Sequence, residues 1–274
     1  MIKNHLYVAL CQLSLFLYWI CSMQYAYAYS PNTEANYHYL GKLSFIPEQG
    51  FIKVNWNITV NNDEEHSLTF VLRSTLDNVT ITGEHVSSFS IKESELGTDF
   101  QRIDIQLIPE QNGQNRNIYL SYQGALLSEP MSNQINQISS NAIELNVDSF
   151  WLPMDTRFNQ LLTTEIEIST ERDWQMVGSG QISKIKQGYK FINNTPSLDI
   201  SFALSKYYSV SKMSGYTLYD LRKDKQGTTK LTSSINFCLT QLNKKYGENN
   251  PLNNIQFTIN DRPSSGYARK IILL

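Results

Sequence analysis

The sequence predicts a mostly β fold, an antiparallel β-sandwich or saddle-like sheet domain followed by a short α+β segment toward the C-terminus. Three observations carry this. Apolar and polar residues alternate over many stretches between about Tyr37 and Tyr219, and Gly, Asn and Asp punctuate those stretches at short intervals. Only after Thr228 does the apolar spacing change to the three-and-four steps of a helix.

The clearest strand is Phe51–Val60, where Ile52, Val54, Trp56, Ile58 and Val60 alternate with Lys53, Asn55, Asn57 and Thr59. Gly50 precedes it and Asn61-Asn62-Asp63 follows it, turn residues at both ends. Further strands are expected over Ser67–Leu72, Val79–Thr82, Val86–Ile91 and Arg102–Leu107, then over Ile118–Tyr122 after a turn at Asn112-Gly113. Pro130–Ser140 is polar and reads as a loop. Beyond Phe150-Trp-Leu-Pro153, the stretch Leu161–Thr170 alternates again, with Leu162, Thr164, Ile166 and Ile168 on one side. Trp174–Ser179, Ile182–Lys186 and Tyr189–Ile192 are separated by Gly180 and Gly188, which predicts two tight hairpins, and Leu198–Leu204 and Tyr207–Val210 extend the series. Leu231, Ile235, Cys238, Leu239, Leu242 and Tyr246 then form the stripe of an amphipathic helix ending near Gly247, with Pro251 beyond. Ile255–Ile259 reads as a strand, and Lys270–Leu274 as another apolar run.

The first residues have the composition of an export signal. Lys3 supplies a positive start, Leu6–Ile20 is almost continuously apolar, and Ala26-Tyr27-Ala28 offers the small-x-small pattern read by signal peptidases. Cleavage after Ala28 is expected; retention of the segment as a membrane anchor is the alternative, because its length approaches a bilayer span. The mature chain is then exported, periplasmic or extracellular, with no second membrane-spanning run. Cys11 and Cys21 leave with the signal, so Cys238 remains alone and is expected to be a buried small hydrophobe on its helix. The resulting division is residues 1–28 as signal, 29–222 as the β-rich domain and 223–274 as the helix-strand segment.

Composition narrows the function. Of 274 residues 41% are apolar, enough for a globular core, and only 18% are charged. A formal charge of −2 without a basic run gives no footprint for nucleic acid. The only histidines are His5, His38, His66 and His85, no two of them four apart, so the His-Glu-x-x-His of a zinc peptidase is absent. Glu64-Glu65 beside His66 reads as a solvated charge cluster. Gly178-Ser179-Gly180 falls short of the Gly-x-Ser-x-Gly nucleophile motif and joins two strands, and neither the helix nor Ser264-Ser265-Gly266 is built as a phosphate loop. The pairs Tyr37/Tyr39 and Tyr207/Tyr208 could stack sugars or bases, but alternate aromatics in strands are ordinarily core. Asn57-Ile-Thr59, Asn78-Val-Thr80 and Asn193-Asn-Thr195 match the glycosylation sequon, as expected by chance in an Asn-rich chain. No catalytic, metal or cofactor residue is assigned, no cofactor is expected, and the sequence names no partner.

The order of segments resembles the N-terminal region of the M1 family of zinc metallopeptidases, the aminopeptidase N-like proteins. The resemblance rests on Ser67-Leu-Thr-Phe-Val-Leu-Arg-Ser-Thr-Leu-Asp-Asn-Val-Thr-Ile81, on Arg102-Ile-Asp-Ile-Gln-Leu107 with Ile118-Tyr-Leu-Ser-Tyr-Gln-Gly124, and on Phe150-Trp-Leu-Pro153. Trp174-Gln-Met-Val-Gly-Ser-Gly180 and Leu242-Asn-Lys-Lys-Tyr-Gly247 with Pro251-Leu252 continue it across most of the mature chain. The resemblance implies the family's N-terminal β domain and the opening of its catalytic domain. Where the family carries Gly-x-Met-Glu-Asn to hold a substrate's amino terminus, this chain has Gly266-Tyr-Ala-Arg-Lys-Ile-Ile272, and the family's zinc helix would lie later still. No family catalytic residue carries over. The expectation is an exported, noncatalytic binding or structural protein, or a truncated product. Two alternatives stand beside it: a fragment of an M1-type peptidase whose catalytic half is encoded downstream, and an unrelated β-sandwich adhesion or carbohydrate-binding module.

Overall fold

The structure, a computed structural model, describes residues 34–61, 66–108, 116–126, 137–171, 173–222, 224–246, 255–259, 267–268 and 272–273. The expected signal segment, the Asn112-Gly113 turn, Glu64-Glu65, Gly247, Pro251 and Ser264-Ser265-Gly266 lie outside the described residues, as does most of the polar stretch after Pro130. Ala35–Leu274 forms one compact unit.

The first strands are β1 (Tyr37–Ile46), β2 (Phe51–Val60), β3 (Ser67–Arg73), β4 (Leu76–Thr82), β5 (Val86–Ser94), β6 (Gly97–Leu107) and β7 (Arg116–Ala125). Short strands β8 (Gln137–Ile138), β9 (Ile143–Leu145) and β10 (Met154–Asp155) precede β11 (Leu162–Ser169), β12 (Gln175–Gly178), β13 (Gln181–Ile185), β14 (Gly188–Ser197) and β15 (Phe202–Ser205). The chain continues through β16 (Ser209–Met213), β17 (Tyr216–Asp220), helix α1 (Lys225–Tyr246), β18 (Ile255–Ile259), β19 (Tyr267–Ala268) and β20 (Ile272–Leu273). The fold is thus mostly β, with a short α+β segment after it, as the periodicity predicts.

A seven-stranded sheet runs β13-β14-β11-β1-β2-β7-β4, and two four-stranded sheets run β10-β3-β6-β5 and β12-β15-β9-β8. Their inward residues make a single core. Ile52, Val54, Trp56, Ile58 and Val60 of β2 are all at most 2% exposed and join Leu68, Phe70, Ile103 and Ile105 of the second sheet and Leu145, Phe202 and Leu204 of the third. β1 and β11 pair in parallel, Tyr37 opposite Leu162 through Ser44 opposite Ser169, so chain distant in sequence closes the large sheet at its middle. The period-two pattern of β11 buries Leu162, Thr164, Ile166 and Ile168, as the alternation predicts.

Several segments differ from expectation, each for a physical reason. Gly178-Ser179-Gly180 is not a hairpin: β12 pairs with β15 while β13 pairs with β14, so the three residues carry the chain from one sheet to another. A Cβ on Gly180 would lie 2.4 Å from the Ile192 carbonyl oxygen, and one on Gly178 2.9 Å from the Phe191 ring, so the crossing needs bare backbone at both positions. Gly188 does close the expected hairpin between β13 and β14, with φ +128°. β4 begins three residues early because a bulge between Asp77 and Thr80, with Asn78 at φ 51°, lets Leu76 reach the core. The strand expected at Leu198–Leu204 lies at Phe202–Ser205, and the strand expected at Tyr207–Val210 lies at Ser209–Met213, where its turn pairs it with β17.

The last unit is a five-stranded sheet, β16-β17-β18-β20-β19, with α1 packed on it. The helix starts at Lys225, six residues before the stripe begins, because the Asp224 side chain accepts the Gly227 N–H at 2.9 Å and caps the first turn. Its stripe is covered only in part: Ile235 is buried and Leu231 and Leu239 pack beside it, whereas Cys238 and Leu242 are exposed. The expectation of a buried Cys238 is therefore corrected. A 22-residue helix extends about 33 Å, while the five-residue strands beneath it extend about 17 Å, so the helix overhangs its sheet.

Candidate functional site

The histidines are held apart by the strands that carry them. His38 lies on β1, and its Nδ1 shares a 2.9 Å hydrogen bond with Thr163 Oγ1, its direct neighbour across the parallel pair. His66 and His85 sit at turns before β3 and β5, where their carbonyls accept the N–H groups of Leu107 and Ile108 at 2.9 and 2.8 Å. Among the described residues no three His, Cys, Asp or Glu side chains gather at a point that could hold a metal ion.

The densest polar chemistry is inside the core. Asp155, 6% exposed, accepts the Tyr37 hydroxyl at 2.5 Å and Arg157 through Nε at 2.8 Å, Nη2 at 2.6 Å and the backbone N–H at 2.9 Å. Burial pushes its carboxyl up, but the hydrogen bonds from Arg157 and Tyr37 outweigh it and hold the group below the usual carboxylate range. Tyr39, driven well above an ordinary phenol by burial, donates to the Pro153 carbonyl at 2.8 Å. Trp56 donates to the Tyr122 hydroxyl at 2.9 Å, and that hydroxyl donates to the Trp151 carbonyl. Trp56, Trp151 and Phe202 follow ring against ring at 5.9 and 5.6 Å. These bonds tie residues 151–157 onto the large sheet, and the Asp155 carboxylate, nearly buried and held by Tyr37 and Arg157, orders the backbone there.

A recess of about 410 Å³ lies beside the end of β1, lined by Phe45, Pro47, Ile143 and Trp174 together with Glu171 and Gln187. Trp174 is buried, and its carbonyl accepts the Tyr189 hydroxyl at 2.5 Å, which fixes the apolar wall. Glu171 sits 3.9 Å from Lys206. The cavity sets an apolar wall beside a carboxylate. No sequence signal marks it, because its walls come from four separate segments.

The aromatic pairs singled out in the sequence are mostly core. Tyr37, Tyr39 and Tyr208 are buried, while Tyr207 is 51% exposed. Of the three sequons, Asn78 is exposed, but Asn193 is 4% exposed and donates to Ser197 Oγ at 2.9 Å. The clearest uncovered apolar surface is on α1, where Phe237 is 66% and Leu242 41% exposed.

The sequence matches no protein-family model and no curated protein. Solved structures do resemble it. Leukotriene A4 hydrolase from Saccharomyces cerevisiae aligns over 90% of this chain and 42% of its own, at 14% identity and a TM-score of 0.61. An aminopeptidase N family protein from Idiomarina loihiensis aligns over 86% of this chain and 42% of its own, at 11% identity and a TM-score of 0.59. The M1 zinc metallopeptidase from Deinococcus radiodurans, in a form bound to a Tyr-Ser-Ala substrate, aligns over 84% of this chain and 57% of its own, at 14% identity and a TM-score of 0.59. The chain thus spans about half the length of these structures, and its fold is that of the N-terminal region of M1 zinc metallopeptidases.

Proposed function

We propose that this chain is an exported, noncatalytic β module that uses the M1 N-terminal fold for binding or support. The observation that carries the reading is the ligand count. Four histidines occur in the whole sequence, none spaced as a zinc pair, and the three in the described residues are fixed on separate strands and turns. Hydrolysis by a bound zinc ion needs several imidazole or carboxylate groups converging on one point. The test is zinc content by elemental analysis together with hydrolysis of an aminoacyl p-nitroanilide by the purified chain. No bound zinc and no turnover are expected; one equivalent of zinc with turnover overturns the reading. Export is tested by intact mass of the protein recovered outside the cytoplasm: a mature chain beginning at Tyr29 is expected, and a full-length, membrane-bound chain refutes cleavage.

A second reading, a fragment of an M1-type peptidase whose catalytic half is encoded downstream, is favoured by the exposed Phe237 and Leu242 on an overhanging helix. A His-Glu-x-x-His motif downstream in frame, or after one frameshift, would support it. The third reading, an unrelated β-sandwich adhesion or carbohydrate-binding module, needs exposed aromatics lining a groove; Tyr37, Tyr39 and Tyr208 are buried, whereas Tyr119 and Tyr207 are exposed.

A further inference from the structure

β5 is the free edge of its four-stranded sheet, and among the described residues β6 is its only strand partner. Seven of its nine residues are exposed on both faces. Such an edge offers a row of backbone donors and acceptors to any extended chain, and proteins ordinarily block it with proline, lysine, bulges or a cover. Here the irregularities fall only at the two ends, Val86/Ser88 and Glu93/Ser94, Ser88–Glu93 pairs regularly between them, and among the described residues no further strand lies on it. Val86–Ser94 has no proline, and its single lysine, Lys92, is drawn back across its own sheet to Asp104 at 2.6 Å. On the core-facing side Phe89 and Ile91, each 42% exposed, stand opposite the fully buried Ile105 and Ile103. The core row therefore ends at β5 with one apolar flank uncovered.

We propose that a second copy of this chain covers the edge, the two β5 strands pairing antiparallel about a two-fold axis through Ser90. The sequence of the strand is self-complementary in that register. Phe89 of one copy faces Ile91 of the other, twice, which extends the row Ile103–Ile91 and Ile105–Phe89 across the junction as aromatic–aliphatic cross-strand pairs. Ser88 faces Lys92 and Ser87 faces Glu93, so no like charges meet. Moving the axis by one residue, to Phe89 or Ile91, loses this fit: it sets Ile91 against Ser87, or Phe89 against Glu93. An isologous contact of this kind closes on itself and joins the two four-stranded sheets into one continuous sheet.

The register makes the test sharp. Residues directly opposite in an antiparallel pair have Cα atoms about 4.5 to 5.5 Å apart, within disulfide reach. In full chains with Cys11, Cys21 and Cys238 changed to Ser, Ser90→Cys should give a covalent dimer under mild diamide oxidation at a yield at least tenfold above Ser88→Cys, Lys92→Cys or Ser183→Cys, the last on β13, the edge strand of the seven-stranded sheet. An equal mixture of Ser88→Cys and Lys92→Cys should cross-link to each other. Sedimentation velocity of the native chain should show a concentration-dependent dimer, and Ile91→Lys, checked by circular dichroism for an intact fold, should be monomeric. A native chain monomeric at all concentrations, equal cross-linking at positions 88, 90 and 183, or a dimer that Ile91→Lys leaves intact each overturns the proposal. So does a monomer that takes up only a foreign extended peptide.

Discussion

Replacing Gly41 by alanine should be among the most damaging single-methyl additions this protein can receive. Gly41 lies on β1 directly opposite Trp56 of β2, whose indole ring lies across the bare backbone. A Cβ at position 41 would stand 2.1, 2.5 and 2.9 Å from three carbons of that ring, far inside van der Waals contact. The ring cannot simply slide. It meets Tyr39 edge-on at 5.4 Å and Trp151 at 5.9 Å, and its Nε1–H donates to Tyr122 at 2.9 Å. Overpacking of this kind costs about 1 to 3 kcal/mol, and a buried indole N–H torn from its acceptor costs about 1 to 3 kcal/mol more. The expected loss is therefore about 2 to 6 kcal/mol, a large share of a typical domain's stability. With a urea m-value of about 3 kcal/mol/M for a chain of this size, the midpoint should fall by about 0.7 to 2 M. The assay is equilibrium unfolding followed by both tryptophan fluorescence and far-ultraviolet circular dichroism. In a Trp56→Leu background, where the ring is gone, the same Gly41→Ala change should cost less than about 1 kcal/mol, because the two sites are directly coupled. Gly41→Ala within about 0.5 kcal/mol of the parent, or an equal cost in both backgrounds, would refute the packing argument.

Asp155 should shape the acid limb of the stability curve. Its folded-state pKa is depressed, so its contribution is fully present above the ordinary carboxylate value near 4 and is lost as pH falls below it. Asp155→Asn should lower neutral-pH stability by about 2 kcal/mol and flatten the stability–pH profile below pH 4, read from urea midpoints at each pH; an unchanged acid slope refutes the assignment. Exposed Cys238 should react with Ellman's reagent in the folded protein as fast as in urea, and Cys238→Ser should change stability by less than about 0.5 kcal/mol. A thiol protected in the native state would contradict its placement on the helix. Gly188→Ala should destabilise by more than about 2 kcal/mol, since the left-handed φ and a Cβ 2.0 Å from the Ile168 carbonyl oxygen add strain to a clash; a neutral result in thermal melts would overturn that hairpin geometry. Ending the chain after Lys206 should leave a cooperatively melting β unit, whereas ending it after Leu221 leaves Tyr216 and Leu218 without the β18 residues they pack on and should lower solubility. Loss of all cooperative melting in the shorter chain would refute independent folding of the β region.

Elements that bury one face were legible because their neighbours along the chain carry the signal. Phe51–Val60 needed only its own alternation, and all five of its predicted inward residues are buried. Features that depend on distant segments were not. Nothing local says that β1 pairs in parallel with β11, or that Gly178-Ser179-Gly180 changes sheets, since a glycine pair reads the same whether the chain reverses or crosses. Cys238 and Leu242 obeyed the helical spacing yet stayed exposed, because periodicity reports which side of a helix is apolar and not how far the surface beneath it extends. Asp224 was a readable cap signal that the apolar stripe overshadowed. As for the site, the histidine arithmetic belongs to the sequence itself, whereas the recess beside Trp174 is assembled from residues 44–47, 143, 169–174 and 187 and exists only after folding.

The position of β1 in the large sheet has a consequence for biogenesis. β2 can zip up against it, and β7 against β2, while the polypeptide is still being delivered, but the complementary flank of β1 belongs to β11, about 125 residues later. Until that length of chain has emerged, the central hydrogen-bonding row is open to whatever extended segment passes by. Lesions in β11 should therefore show their harm as material lost to aggregates during synthesis, out of proportion to any drop in the melting point of the molecules that do mature.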